Sequence, residues 1–375
     1  MELARRTFIG GSAALAGLAA AAPVRAQTAA APSAASHFGP GEGIALLARN
    51  ENPYGPAPSA VAAVAESASK GCYYADRGAR YLTDMIAERH NVSPSMVVLG
   101  EGSTEILSAV ALAWGRDGAI LCPGLFWDTT VQYGERQGVS AIRVPLAGDM
   151  NVDLPAISAA FDDNVSLVQV CNPNNPTGML VDMAGLRALA DTVTPTATLL
   201  VDEAYNELTD DPAGDSVIDL VREGRDVIVC RTFSKIYGMA GMRVGYAITS
   251  EANAERIRPY LMSFGGNTCG LAAAIASYND TGFLDQSRAA ILEGRSMIMD
   301  AVQTAGLTAL PSQTNFVYVE VPDAEAVRAA MQERGIIIRG AYGPWTQYSR
   351  VSTGKIEDVA RYAAALPEVI DSLRG

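Results

Sequence analysis

The chain is almost without histidine. Its two, His37 and His90, are far apart, and His90 precedes Asn-Val-Ser-Pro at an expected helix end. Imidazole catalysis and a histidine-rich metal site are therefore not what the sequence supports. Cysteine is sparse too. Cys72, Cys122, Cys171, Cys230 and Cys269 are too widely spaced for a zinc motif. At least three fall in or at the ends of apolar strand-like runs, which marks them as free and buried. Positive charge is in deficit: 28 Lys+Arg against 41 Asp+Glu leaves a formal net charge of −13. That argues against nucleic acid or an anionic membrane surface as a partner. Any small anionic ligand must then be held by arginines placed locally. Internal repeats are absent. The apolar run from Phe8 to Ala22 covers 15 residues, short of the roughly 20 a membrane-spanning helix needs.

That run belongs to an N-terminal segment with its own logic. Arg5-Arg6 and Phe8 open it, and Val24-Arg25-Ala26 closes it with small residues. Residues 1–26 are expected to be a twin-arginine export signal, cleaved on transfer to the periplasm. An uncleaved N-terminal anchor is the alternative. Proteins using this route leave the cytosol folded, often with a cofactor already inside. Residues 27–43, rich in Ala, Ser, Pro and Gly, are expected to be a flexible linker.

The remaining length supports two domains, and 49% hydrophobic residues support a large core. Seven short apolar runs recur: 96–100, 119–123, 140–144, 166–171, 198–202, 226–231 and 243–248. Most are continuous rather than alternating, as in strands buried on both faces. Amphipathic stretches such as STEILSAVALAWG separate them. The pattern predicts a doubly wound α/β domain over 70–263 with a mostly parallel seven-stranded sheet. A smaller α+β domain is expected over 264–375, with an N-terminal arm at 44–69 contributing to it.

Open α/β sheets bind ligands beyond the carboxyl ends of their strands. Four expected strand ends carry unusual polar residues: GEGSTE, NPNNPTG, VDEAY and RTFSK. Taken singly, each is weak. Together they describe one chemistry. The Lys235 amine can form an imine with an aldehyde cofactor. If the aldehyde is carried on a pyridine ring, Asp202 would keep the ring nitrogen protonated and the ring an electron sink. Asn175 and Tyr205 could serve the ring's phenolic oxygen. Trp127 could stack on its face. Backbone amides at Ser103-Thr104, with Thr232, Ser234 and Arg243, would receive a phosphate.

With these motifs in their order, the chain resembles the pyridoxal-phosphate-dependent aminotransferases of fold type I, and within them the histidinol-phosphate aminotransferase group. The resemblance runs from NENPYGP (50–56) to RVSTG (350–354). It implies pyridoxal 5'-phosphate as cofactor and Lys235 as its covalent anchor and proton carrier. Asp202 and Tyr205 complete the catalytic set, and an amino group passes from an L-amino acid or amino-alcohol phosphate to a 2-oxo acid. It further implies Arg350 as the clamp for a substrate carboxylate, Arg339 as the contact for a distal group, and Asn52 and Tyr54 on the substrate side. Tyr74 would reach the phosphate of a neighbouring subunit, hence a homodimer. Three features depart from the family's pattern: Tyr74 is followed by Ala75, the segment from Arg339 to Arg350 is short, and the signal is an export signal. A decarboxylase or β-lyase on the same fold, or a non-catalytic periplasmic binding protein, are the other readings.

Overall fold

A computed structural model describes residues 37–374. The expected export signal and linker positions 27–36 lie outside the described residues. Twelve strands are seen among those described: β1 (Ala45–Leu47), β2 (Val97–Glu101), β3 (Ala119–Pro123), β4 (Ala141–Val144), β5 (Val165–Cys171), β6 (Thr198–Asp202), β7 (Val227–Thr232), β8 (Val244–Ile248), β9 (Thr308–Ala309), β10 (Phe316–Glu320), β11 (Ile336–Ile338) and β12 (Tyr348–Ser352). Seven of them form one sheet in the order β2-β8-β7-β6-β5-β3-β4.

The continuous apolar runs acquire a simple meaning here. Successive side chains of a strand point to opposite faces. Leu121, Val168, Val170, Leu199, Val201, Val227 and Val229 enter one core. Their neighbours Ile120, Cys122, Leu167, Cys171, Leu200, Ile228 and Cys230 enter another on the opposite face. Helix Ser103–Trp114 supplies Ile106, Leu107 and Val110 to the second core, and helix Met183–Val193 supplies Leu186 and Leu189 to the first. Cys122, Cys171 and Cys230 are free and buried, while Cys72 is exposed and Cys269 half-buried. Edge strand β4 is the exception in burial, with Ile142 and Arg143 exposed.

All pairings in this sheet are parallel except those of β8, which runs against both β2 and β7. No crossover helix separates β7 from β8, so the chain turns straight back. The reversal has a local consequence. The start of β8 lies at the edge where the other strands end, with Val244 opposite Glu101 and Gly245 opposite Thr232. Arg243, one residue earlier, is thereby delivered to the ligand-binding edge.

Two smaller sheets complete the chain: antiparallel β12-β10-β9 and the parallel pair β1-β11. Helices Thr281–Thr304, Ala324–Glu333 and Ile356–Arg374 cover them around Ile298, Val302, Val317, Val319, Leu366 and Ile370. Pairing of β1 with β11 folds the N-terminal arm into this part. Helix Thr268–Ser277 instead gives Leu271, Ala273 and Ala274 to the same core as the large sheet. Residues Glu42–Gly375 form one compact unit.

Candidate active site

A cavity of about 390 Å³ opens at the carboxyl edge of the large sheet, bounded by the small sheets and the segment after β1. One end is built for an anion. Helix Ser103–Trp114 starts after Gly102 with no side-chain cap, so the amides of its first turn face the cavity with the positive end of the helix dipole behind them. Gly102 has φ +72°, and a Cβ there would strike the Arg243 guanidinium; a Cβ on Gly245 would strike the Ser103 amide. Only glycine lets these three segments meet. Arg243, itself left-handed at φ 54°, donates from Nη1 to Ser234 Oγ at 3.3 Å and to the Ala240 carbonyl at 2.8 Å. Thr232 Oγ1 lies 2.9 Å from Ser234 Oγ. Thr104 and Trp127 line the same end.

The two carboxylates of VDEAY divide by strand alternation. Glu203 turns into the protein, where Arg231 (2.8 Å), Ser216 Oγ (2.8 Å) and the Val217 amide (2.9 Å) satisfy it. Asp202 turns into the cavity, is 4% exposed, and leaves Oδ1 with no hydrogen-bond partner. Burial raises its pKa to about 7, against the Ala204 amide and Lys235, which both lower it. A buried carboxylate oxygen without a donor is a costly feature. It calls for a cationic N–H inside the cavity.

Lys235, one of three lysines in the chain with Lys70 and Lys355, directs Nζ to the Asn50 carbonyl at 3.4 Å. Burial first, and then Arg350, lower its pKa to about 8, partly offset by Asp202. The amine is thus brought within reach of its neutral, nucleophilic form near physiological pH. Tyr205 OH accepts hydrogen bonds from Asn50 Nδ2 (3.0 Å) and Asn175 Nδ2 (3.3 Å), and burial raises its pKa. Asn172 and Asn174 tie down the NPNNPTG turn, the first accepting from the Val181 amide (3.0 Å) and the second donating to the Leu125 carbonyl (3.2 Å). That leaves Asn175 for the site. Its Oδ1 accepts from Arg350 Nη1 at 2.5 Å, while Arg350 Nη2 donates to the Ala48 carbonyl at 2.8 Å. Arg350 is 5% exposed with Nε unpartnered, and burial lowers its pKa. Arg339 is exposed at the mouth, its guanidinium 4.9 Å from the Tyr342 ring centroid.

Twelve of the fifteen residues proposed from sequence line this one cavity: Ser103, Thr104, Trp127, Asn175, Asp202, Tyr205, Thr232, Ser234, Lys235, Arg243, Arg339 and Arg350. Three do not. Asn52 is buried and donates to the Ile236 carbonyl at 2.7 Å and to Ser287 Oγ at 2.5 Å. These bonds hold the backbone next to Lys235, and the side chain does not line the cavity. Tyr54 does not line the cavity in this chain; its hydroxyl accepts from the Ile356 amide at 3.0 Å. Tyr74 is 73% exposed and stacks on Phe264, with ring centroids 4.8 Å apart. Asn50 and Tyr342 were missed. Asn50 stood inside the quoted NENPYGP motif, but its importance comes from left-handed backbone (φ 56°) that aims amide and carbonyl at different catalytic groups.

An anion cradle, an orphaned carboxylate opposite it and a lysine of lowered pKa between them fit a phosphorylated pyridine aldehyde, on a mostly parallel seven-stranded sheet. Fold and site together define a pyridoxal-phosphate-dependent transferase of fold type I. The chain belongs to the aminotransferases of class I and II, whose family model matches residues 42–366. It is 33% identical over 335 residues to the histidinol-phosphate aminotransferase of Brevibacillus brevis, covering 87% of this chain and 90% of that one. To the enzyme of that name from Symbiobacterium thermophilum it is 34% identical over 328 residues, covering 86% and 90%. Among solved structures it resembles a histidinol-phosphate aminotransferase from Sinorhizobium meliloti in complex with pyridoxal-5'-phosphate, with a TM-score of 0.79 and 33% identity over 88% of this chain and 92% of that one. The protein is a pyridoxal-phosphate-dependent aminotransferase that exchanges an amino group between an amino acid and a 2-oxo acid. The decarboxylase, β-lyase and non-catalytic readings are not favoured.

Proposed function

We propose that the amino donor is an amino-alcohol phosphate of the histidinol-phosphate type and the acceptor a 2-oxo dicarboxylate. The observation that carries this reading is the placement of Arg339 beside Arg350. Their backbones bond in both directions, at 2.9 and 3.0 Å, so a second guanidinium stands at the mouth beside the buried one. A single carboxylate needs one such group; a phosphate ester, or a second carboxylate, makes use of two. The names of the relatives point the same way.

The residues divide the work. The first-turn amides at Ser103 and Thr104, with Ser234 and Arg243, would hold the cofactor phosphate; Asp202 would face its ring nitrogen, and Asn175 and Tyr205 its phenolic oxygen. When bound, the cofactor supplies an electron sink for the substrate carbon that bears nitrogen. Lys235, once its amine is free, takes the proton from that carbon and returns it on the other side of the exchange. Arg350 orients the substrate anion, and burial strengthens its grip by excluding water.

Two further parts of the reading concern assembly and address. A homodimer is supported by the exposed aromatic group Tyr73, Tyr74 and Phe264 with Met262, a set that a second subunit would cover. Periplasmic export rests on Arg5-Arg6 and the apolar run behind them; cell fractionation, with and without Arg5→Lys and Arg6→Lys, tests it. The substrate is tested by spectral half-reactions of the holoenzyme with histidinol phosphate, glutamate and phenylalanine in parallel. Conversion by histidinol phosphate and glutamate well ahead of phenylalanine is expected. Conversion by phenylalanine with none by histidinol phosphate overturns the assignment.

A further inference from the structure

The cavity wall carries a third mouth-side cation that the motifs did not single out. Arg49 lines it together with Arg339 and Arg350, and the strand register explains why. β1 and β11 run parallel, and their last paired positions are Leu47 and Ile338. Just past that pair come Ala48 and Arg49 on one strand and Arg339 on the other. Neighbouring strands lie about 4.8 Å apart, so the two arginine-bearing ends emerge side by side. Arg339 in turn bridges Arg350 through its backbone, and Arg350 Nη2 crosses back to the Ala48 carbonyl at 2.8 Å. Three arginines thus line one cavity from three adjacent chain segments.

Among the described residues none of the three is ion-paired with a carboxylate. Asp202 is the one carboxylate among the cavity-lining residues, and it belongs to the cofactor end. Glu325 lies near Arg339 but is engaged by Arg328 Nε at 2.6 Å and the Ala341 amide at 3.0 Å. Glu51 follows Asn50 in the chain and does not line the cavity. Arg49 is exposed and makes no hydrogen bond or ion pair with any described residue. Like charges gathered without a counter-ion are unfavourable alone and become favourable only around an anion of matching charge.

Resting on the reading of Arg350 as the substrate-anion anchor, we infer that Arg49 is a specificity-determining residue of this aminotransferase. With Arg339 it adds the charge that selects substrates carrying two negative charges at this rim, a phosphate ester or a pair of carboxylates, over substrates carrying one. Of the three, Arg350 bears on the chemistry through Asn175 and the Lys235 amine, whereas Arg49 makes no hydrogen bond to Lys235 or Asp202.

The test uses holoenzyme and Arg49→Ala, Arg49→Lys and Arg339→Ala variants. Binding of glutarate and of valerate, two non-reacting acids that differ by one carboxylate, is measured by titration. Donor kcat/KM is measured for histidinol phosphate against histidinol. In the parent enzyme glutarate and histidinol phosphate are favoured. Arg49→Ala is expected to cut each preference about tenfold, as loss of one partly exposed charge contact does, with Arg49→Lys recovering part of it. A fall in the glutarate preference alone assigns Arg49 to a second carboxylate, and a fall in the phosphate preference alone assigns it to a phosphate ester. Unchanged preferences in Arg49→Ala overturn the inference, as does equal loss for singly and doubly charged ligands. The underlying reading fails in a different way: Arg350→Ala would then leave binding of both acids unaltered.

Discussion

The two ends of the cavity are built by different means. The cofactor end is made where four strands of one sheet finish, from backbone amides, short hydroxyl side chains and one carboxylate. Its parts sit close to their motifs: Ser103-Thr104, Asp202-Tyr205 and Thr232–Arg243. The substrate end is assembled from Arg49-Asn50 near the N-terminus, Arg339 and Tyr342 in a loop, and Arg350 on β12. The first end is dense with internal hydrogen bonds; the second carries guanidinium groups that still have donors to give. A cofactor that stays bound favours a rigid cradle, whereas two substrates that alternate in one place favour donors left available for whichever anion arrives.

The largest break in that contrast should come from Lys235→Ala. Turnover is expected to fall by about 10⁴-fold or more, as for loss of a covalent and proton-transfer group. Borohydride should no longer fix the cofactor to the chain, although the phosphate cradle still binds it. Retained fixation would place the anchor elsewhere, at Lys70 or Lys355. Next is Arg350→Ala, expected to lower kcat/KM for carboxylate substrates by roughly 10²–10³-fold, the scale of a buried charge pair losing one partner. The visible spectrum of bound cofactor should survive, because Arg350 belongs to the other end; a variant that cannot retain cofactor would erase the distinction drawn here. Asn50→Ala straddles the two ends. It removes one of the two amide donors to Tyr205 OH, and a loss of roughly 10–100-fold in kcat is expected, since one hydrogen bond to a charged group contributes about 1.5–3 kcal/mol. Stopped-flow half-reactions would show whether the loss lies in the chemical step or in binding.

The smallest effect concerns stability of the cofactor-free protein. The Lys235 pKa is lowered to about 8 in the fold, below that of a lysine in an unfolded chain, so unfolding takes up a proton between those two values. The folded state is therefore penalised fully below about pH 8, and the penalty disappears as pH rises through the ordinary lysine range. Lys235→Met should stabilise the apo-protein at pH 7 by on the order of 1–3 kcal/mol, read as a higher melting temperature. The gain should shrink toward zero above pH 10. A gain independent of pH would mean that packing, not charge, sets it.

The cofactor end was legible because each of its groups follows a strand whose apolar run announces it, and such ends converge in a parallel sheet. Thus the sequence alone places Asp202 and Lys235 together. Arg243 was also found, although its route to the site was not: it arrives through the antiparallel β8, which regular strand–helix alternation does not anticipate. Asn52 and Tyr54 differ: their motif suggests substrate contacts, while tertiary packing turns Asn52 toward Ile236 and Ser287 and Tyr54 toward Ile356, outside the cavity lining. Arg49 carries no sequence signal, and Asn50 only that of the NENPYGP motif around it. Their position depends on a pairing between residues 45–47 and 336–338, across nearly the whole chain.

What the sequence determined by itself was local: which segments bury both faces, which residues stand at their ends, and so which chemistry the cofactor end can perform. What only the tertiary structure decided was the company kept by distant segments, above all the three arginines at the rim. Hydrophobic periodicity and turn chemistry act over a few residues and are written directly in the order of amino acids. Strand register between remote segments is settled by the packing of the whole core, and no short stretch of sequence contains it.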